Sequence, residues 1–404
     1  MSDLLYSGTE DDLRAAVRSL LADRADARTV LARIETPDPY PPGLWAALAG
    51  GIGAAGLLVP EKLGGQGAGP REAAVVLEEL GRAVTPAPYL TSAVVATATL
   101  LALGTETGPA ADLLGALAAG ERVAVLAVPL STAPDGRPAG AGPVTGEGAA
   151  GPVGAAAGSG SLAPGVPAAS GSPVPAASGS PDPDASGSPV PAVPDALAAD
   201  VFLVPRADGL YAVDASDALV TPVSSLDLTR PLATVDPGGA TGVRLADAGA
   251  RRAAVRHGLL TGAGLLASEQ LGIAEWCLEE TVRHTGDRHQ FNRPVGSFQA
   301  LKHRMAQLWL DLAGARAVAR AAADALATGA EDAALTVAVA QAYCSKAAVR
   351  AAEECVQLHG GIGMTWEHPA HLALKRAKSD AVALGSAGRH QDTIAALADL
   401  PAPA

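Results

Sequence analysis

Phe298, Leu301, Met305, Leu308 and Leu312 recur at alternating three- and four-residue steps. That spacing puts apolar side chains on one stripe of a helix and packs the stripe against other helices at shallow angles. Leu271, Ala274, Leu278 and Thr281 line one face of a preceding helix. After it, from Asp332 as N-cap, Leu335, Val339, Ala342, Val349 and Val356 line another. With a fourth segment near Leu372 to Ala383, residues 246–404 read as a four-helix bundle. Composition points the same way, because 49% of the 404 residues are hydrophobic but only 3% are aromatic. Alanine and leucine then supply most of the apolar surface, favouring close-packed helices in a mainly α protein. The length suffices for two or three buried cores.

Residues 1–120 read as a helical N-terminal domain. Leu13, Val17, Leu20 and Leu21 recur at helical spacing, and Pro60-Glu61-Lys62-Leu63-Gly64-Gly65 is turn chemistry ahead of a helix ending in Glu79-Leu80-Gly81-Arg82. The turn lacks the Gly-Lys-Ser/Thr ending of a phosphate loop. Residues 121–245 carry short β-branched runs, Val123 to Val128, Val201 to Pro205, Leu210 to Val213 and Leu219 to Val223, and predict a small, shortened β-domain. A Pro-, Gly-, Ala- and Ser-rich segment, about 134–194, interrupts it and repeats Val-Pro-Ala-Ala-Ser-Gly-Ser-Pro at Val166 and Val174. Such a composition buries too little apolar area to offset ordering entropy, so a disordered insertion is expected.

A formal charge of −13 and a pI near 5.0 exclude the basic face that nucleic acid requires. Cys277, Cys344 and Cys355 lack C-x-x-C spacing, which speaks against a disulfide framework or zinc, and no metal site is expected. The apolar stretch Leu90 to Leu103 carries four Thr and Ser residues and reads as a buried helix, not a membrane span. The first residues have no basic run leading into an apolar one, so a cytoplasmic protein is expected.

Two segments carry the chemistry. Arg288-His289-Gln290-Phe291-Asn292-Arg293-Pro294 is followed by Gln299, and much later comes Gln357-Leu358-His359-Gly360-Gly361. Together they resemble the flavin-binding half of acyl-CoA dehydrogenases, of the actinobacterial type. The resemblance extends to the N-terminal Pro-Glu-x-x-Gly-Gly turn. It implies an N-terminal helical domain, a β-barrel-like middle domain and a C-terminal bundle, with FAD as cofactor and an acyl-CoA as substrate. It also implies a homo- or hetero-oligomer, dimer or tetramer, serving fatty acid or sterol catabolism, with an electron-transfer flavoprotein or similar acceptor. By the same resemblance, Arg288 and Gln299 contact FAD held mainly by a neighbouring subunit. Gln357 and the Gly360-Gly361 pair adjoin its adenosine side, where glycine lets backbone approach closely, and Ser386 joins the cofactor site.

The family takes a proton from the carbon beside the thioester with a Glu placed just before a Gly-Thr pair. Gly385-Ser386 occupies that place, so the base position is Leu384; the family's alternative position, twenty-six residues before the Arg, is Gly262. Neither is a carboxylate. Asp380 and Glu269 are weak substitutes, more simply read as exposed helix charges. His359 and His390 are expected at the surface. The middle domain also departs from the family, because Val125-Leu126-Ala127-Val128-Pro129-Leu130-Ser131 stands where flavin-ring contacts belong. Three readings remain: a complete dehydrogenase, a base-lacking partner subunit that completes another chain's FAD site, and altered flavin chemistry in specialised metabolism.

Overall fold

The computed structural model describes residues 4–36, 38–135 and 188–400. The N-terminal part holds α1 (Gly8–Arg24), α2 (Ala27–Arg33), the single turn α3 (Leu44–Ala46) and α4 (Pro70–Ala83). A π-helical stretch, Tyr89–Ala96, then runs into α5 (Thr97–Leu101), and α6 (Pro109–Ala118) follows. The apolar stretch predicted as a buried helix is this Tyr89–Leu101 run. A capping box starts α1: Ser7 Oγ accepts from Glu10 N at 3.2 Å and Glu10 Oε2 accepts from Ser7 N at 2.6 Å.

The middle part has β1 (Ala124–Leu126), β2 (Val190–Pro194), β3 (Val201–Arg206), β4 (Gly209–Asp214), β5 (Leu219–Val223), β6 (Leu232–Asp236) and β7 (Val243–Asp247). They form a four-stranded sheet, β1-β3-β4-β7, and a three-stranded one, β2-β6-β5. Val193, Phe202, Val213 and Val235, all buried, fill the core between them. The described structure resumes earlier than the composition suggested. Residues 188–194 belong to the described structure, and Val190–Pro194 pairs antiparallel with β6 despite its two prolines. The ladder is irregular there, with a register shift between Val190 and Val193, and a bulge tolerates the missing N–H groups. The rest of the expected insertion, 136–187, lies outside the described residues.

The C-terminal part is α7 (Ala248–Asp287), a hairpin of β8 (His289–Gln290) and β9 (Arg293–Pro294), then α8 (Gln299–Thr328), α9 (Ala333–His359), α10 (Ala370–Asp380) and α11 (Ala387–Leu397). At 40 residues α7 runs about 60 Å and is the spine of the molecule. Asp247 starts it by accepting from Ala250 N at 2.9 Å. Asp332 precedes α9 as expected, but its side chain makes no cap hydrogen bond.

Glycines set the crossing of α4 on α7. A Cβ on Gly272 would lie 1.9 Å from Glu78 O, and one on Gly81 would lie 2.1 Å from Glu269 O. Both contacts are with backbone, which cannot swing aside. Gly272→Ala should therefore lower stability by about 3 kcal/mol, the upper end of ordinary overpacking, as read by urea unfolding. Gly286→Ala, where a Cβ meets nothing within 4 Å, is the matched control and should change little.

Candidate active site

The two sequence motifs meet at one end of the bundle. Arg288 caps the C-terminus of α7 and Gln357 lies in the last turn of α9. A histidine stands beside each, His284 one turn before Arg288 and His359 two residues after Gln357, and the two rings pack with centroids 4.2 Å apart. Between Arg288 and Gln299 the chain makes a tight hairpin whose central residues, Phe291 and Asn292, have φ of 52° and 59°. Two left-handed central residues match the twist of the strands, a demand Asn meets easily and Phe does not. The Phe291 ring is 87% exposed. Arg293 stacks on Phe298 at 3.8 Å and stiffens the hairpin base.

Arg288, Gln299 and Gln357 are all exposed. Gly360 has φ of 63°, and a Cβ on Gly360 or Gly361 would meet nothing within 4 Å. This end of the bundle therefore offers a guanidinium, two amides and open backbone to a ligand. Ser386 is occupied differently, as the N-cap of α11, where its Oγ accepts from Arg389 N at 3.4 Å.

The two family base positions converge elsewhere. A Cβ on Gly262 would lie 3.1 Å from Leu384 Cδ1 and 2.5 Å from Val95 Cγ2. Leu384 itself is buried at φ of 53°, and its N–H donates to Leu130 O at 2.8 Å. Leu130 N in turn donates to Ala192 O at 3.0 Å, so the segment standing in for the family's flavin contacts is built into the wall. Beside it is a cavity of about 30 Å³ lined by Leu90, Thr91, Val95, Leu130, Leu259 and Leu384 among others. Among the described residues no carboxylate lines it. The volume holds about two waters.

Asp380 and Glu269, expected as exposed helix charges, are 0% and 1% exposed. The reason is a partner set that the sequence did not reveal. The β5–β6 connection carries Asp227, Thr229 and Arg230 inward against α7 and α10. Arg230 Nη2 donates to Glu269 Oε1 at 2.7 Å and its Nη1 donates to Asp380 Oδ1. Arg376 donates to the same Glu269 Oε1 at 2.5 Å, to Asp227 Oδ2 at 2.5 Å and to Thr229 O at 2.8 Å. Three carboxylates thus share two guanidiniums. Burial works to raise Asp227, but the flanking Arg376 and Arg230 outweigh it and hold its carboxyl below the usual range. The surplus negative charge falls on Asp380, whose carboxyl burial, and then the charge of Glu269, pushes up to about 7. Asp380 Oδ2 accepts no hydrogen bond, which suits a site for that proton.

Because the folded value lies above the ordinary 3.8, Asp380 contributes stability that is full below about pH 4 and is lost as pH rises through about 7. Asp380→Asn should remove this slope. The stability difference between wild type and variant should therefore shift in favour of the variant from pH 5 to pH 8, as read by urea midpoints.

His359 and His390 are also buried, at 5% and 3% exposure, contrary to the surface placement expected of them. Each is drawn in by backbone: His359 Nδ1 lies 2.7 Å from Cys355 O, and His390 Nε2 lies 3.1 Å from Leu384 O. No spacing rule flagged Arg230 or Asp227, because their partners lie 39 to 150 positions away in the chain.

A long helical bundle, a helical N-terminal part and two small sheets enclosing such a site define an acyl-CoA dehydrogenase type of protein. The acyl-CoA dehydrogenase N-terminal domain matches residues 7–121 and the C-terminal domain matches 249–398. Acyl-CoA dehydrogenase IpdE2 of Mycolicibacterium smegmatis is 34% identical over 374 residues, 92% of this chain and 93% of that one. The chain belongs to the acyl-CoA dehydrogenase family. Among solved structures, the ChsE4–ChsE5 complex from Mycobacterium tuberculosis superposes with a TM-score of 0.76 at 25% identity, covering 99% of this chain and 100% of that one. The steroid ACAD Tcur3481–Tcur3483 has the same fold, with a TM-score of 0.75 at 24% identity over 97% of this chain and 98% of that one. No helix among the described residues is long and apolar enough to cross a membrane.

Proposed function

We propose that this chain is the base-lacking subunit of a hetero-oligomeric acyl-CoA dehydrogenase. In it, Arg288, Gln299, Gln357, Gly360 and Gly361 complete an FAD site whose reactive half belongs to a partner bearing the base. One observation carries the reading: Leu384 and Gly262, the two places where the family puts its carboxylate, meet on a single apolar wall. The likeness to a complex of two differently named chains, ChsE4 and ChsE5, supports it.

The residues present fit one half of FAD. Arg288 offers a planar fork for a pyrophosphate, Gln299 and Gln357 offer amides, and the Gly360-Gly361 turn leaves open space for an adenosine. Among the described residues the middle part offers the ring end no comparable donors, since Val125, Leu126 and Leu130 are buried apolar wall. Bound FAD supplies the acceptor for a hydride leaving the β-carbon of an acyl-CoA thioester. This chain's residues hold and orient its phosphate end. Removal of the α-proton falls to the partner's carboxylate. Phe291, Trp309, Met364 and Trp366, all more than half exposed, are the kind of apolar surface that assembly covers. The assembly is a cytoplasmic dimer or tetramer in sterol or fatty acid catabolism that passes electrons to an electron-transfer flavoprotein or similar acceptor.

Co-expression with a Glu-bearing relative, followed by size-exclusion chromatography and intact mass, should give a stoichiometric complex containing both chains. Two separate peaks would contradict the reading. Asp380 favours a second reading, a self-sufficient dehydrogenase, because its carboxyl titrates near 7 and one oxygen accepts nothing. That reading requires Asp380→Asn to abolish acyl-CoA oxidation, whereas the partner reading leaves the complex active.

A further inference from the structure

We propose that Glu280, His359 and His368 form a binding site for a divalent transition-metal ion, of which Zn²⁺ is the best match in ligand chemistry. The three residues come from the last turns of α7, the end of α9 and the segment leading into α10. One ligand atom from each lies within 4.8 Å of the others. Glu280 Oε1 is 3.6 Å from His359 Nε2 and 3.5 Å from His368 Nε2. Two imidazoles and one carboxylate are a three-ligand set that leaves further positions for water.

His359 is the independent sign that something belongs between them. Its side chain is 0% exposed, yet Nε2 has no hydrogen-bond partner. Its Nδ1 lies 2.7 Å from Cys355 O and donates to it, which leaves Nε2 facing Glu280 Oε1 at 3.6 Å. A backbone carbonyl behind Nδ1 is the outer contact that aims a metal-binding imidazole. Nε2 and the carboxylate repel each other unless a cation, either a proton on Nε2 or a metal ion, lies between them. His284 and His368 flank the His359 ring at 4.2 and 4.4 Å.

The ion displaces two weaker arrangements. Arg283, largely exposed, relinquishes Oε1 of Glu280 and keeps Oε2, to which its Nε donates at 2.9 Å. His368 now accepts from Ala370 N at Nδ1 over 3.2 Å; with the ion at Nε2 its proton moves to Nδ1 and that long contact is lost. Closure fastens α7 to the turn that follows His359, Gly360 and Gly361, so the ion stiffens the glycine turn.

The test is a Co²⁺ titration of the tag-free, chelator-treated chain, read by visible d–d absorption, with Zn²⁺ as competitor. Glu280 and His368 reach the surface, so Glu280→Gln and His368→Gln spare the buried His359, and circular dichroism checks their fold. Saturation near one Co²⁺ per chain, displacement by Zn²⁺ and at least ~10-fold weaker binding in each variant are expected. Absence of a saturable signal, or equal binding in a folded variant, would overturn the site.

Discussion

Arg376→Ala should destabilise the protein by about 3–5 kcal/mol, the cost of breaking a buried ion pair by removing one partner. The guanidinium is 3% exposed and its three hydrogen-bonding faces are taken by Asp227, Glu269 and Thr229. Alanine would leave three buried carboxylates, Asp227, Glu269 and Asp380, with one guanidinium, that of Arg230, which already serves Glu269 and Asp380. The β5–β6 connection would lose its hold on α10, so the bundle and the middle part should loosen together. Arg376→Lys should recover only part of the loss, because a point ammonium cannot replace a planar fork that reaches three partners. Urea unfolding checks both. A shift below about 0.5 kcal/mol for the alanine variant, within the range of ordinary surface changes, would show that the network is not what joins these parts.

Arg288→Ala should do the reverse, leaving fold and assembly intact while weakening retention of FAD. The side chain is exposed and bonds to nothing among the described residues, so its loss should change stability by less than about 0.5 kcal/mol. A charge-assisted hydrogen bond to a phosphate contributes about 1.5–3 kcal/mol, which corresponds to roughly 10- to 100-fold weaker binding. Flavin content after dialysis of the complex, followed by absorbance, measures this directly. Unchanged retention would remove Arg288 from the site and with it the main link between this end of the bundle and FAD.

The helical architecture was legible because it is periodic. The three-four spacing of Phe298 to Leu312 is a local signal, and α8 occupies that stretch. The two motifs proposed to face FAD stand out in the sequence because each is contiguous in the chain. The buried ionic network was not, since Asp227, Arg230, Glu269, Arg376 and Asp380 are separated by strands and helices, and a charge that is paired reads in sequence like one that is solvated. The same reason hid Glu280, His359 and His368 as a set. His359 belongs to a glycine motif and His368 to a turn, and only the packing of α7 beside α9 brings them together. Val190–Pro194 was missed for a different reason: its two prolines and small residues are loop-like in composition, while its pairing with β6 is a tertiary fact.

The most direct test of the account is the visible spectrum of this chain purified alone, and again as a complex with a Glu-bearing relative, during anaerobic addition of acyl-CoA thioesters. The account predicts little flavin and no bleaching for the chain alone, and a flavin spectrum that bleaches for the complex. A flavin-bearing chain that bleaches by itself would contradict it and would make Asp380 the residue to substitute next.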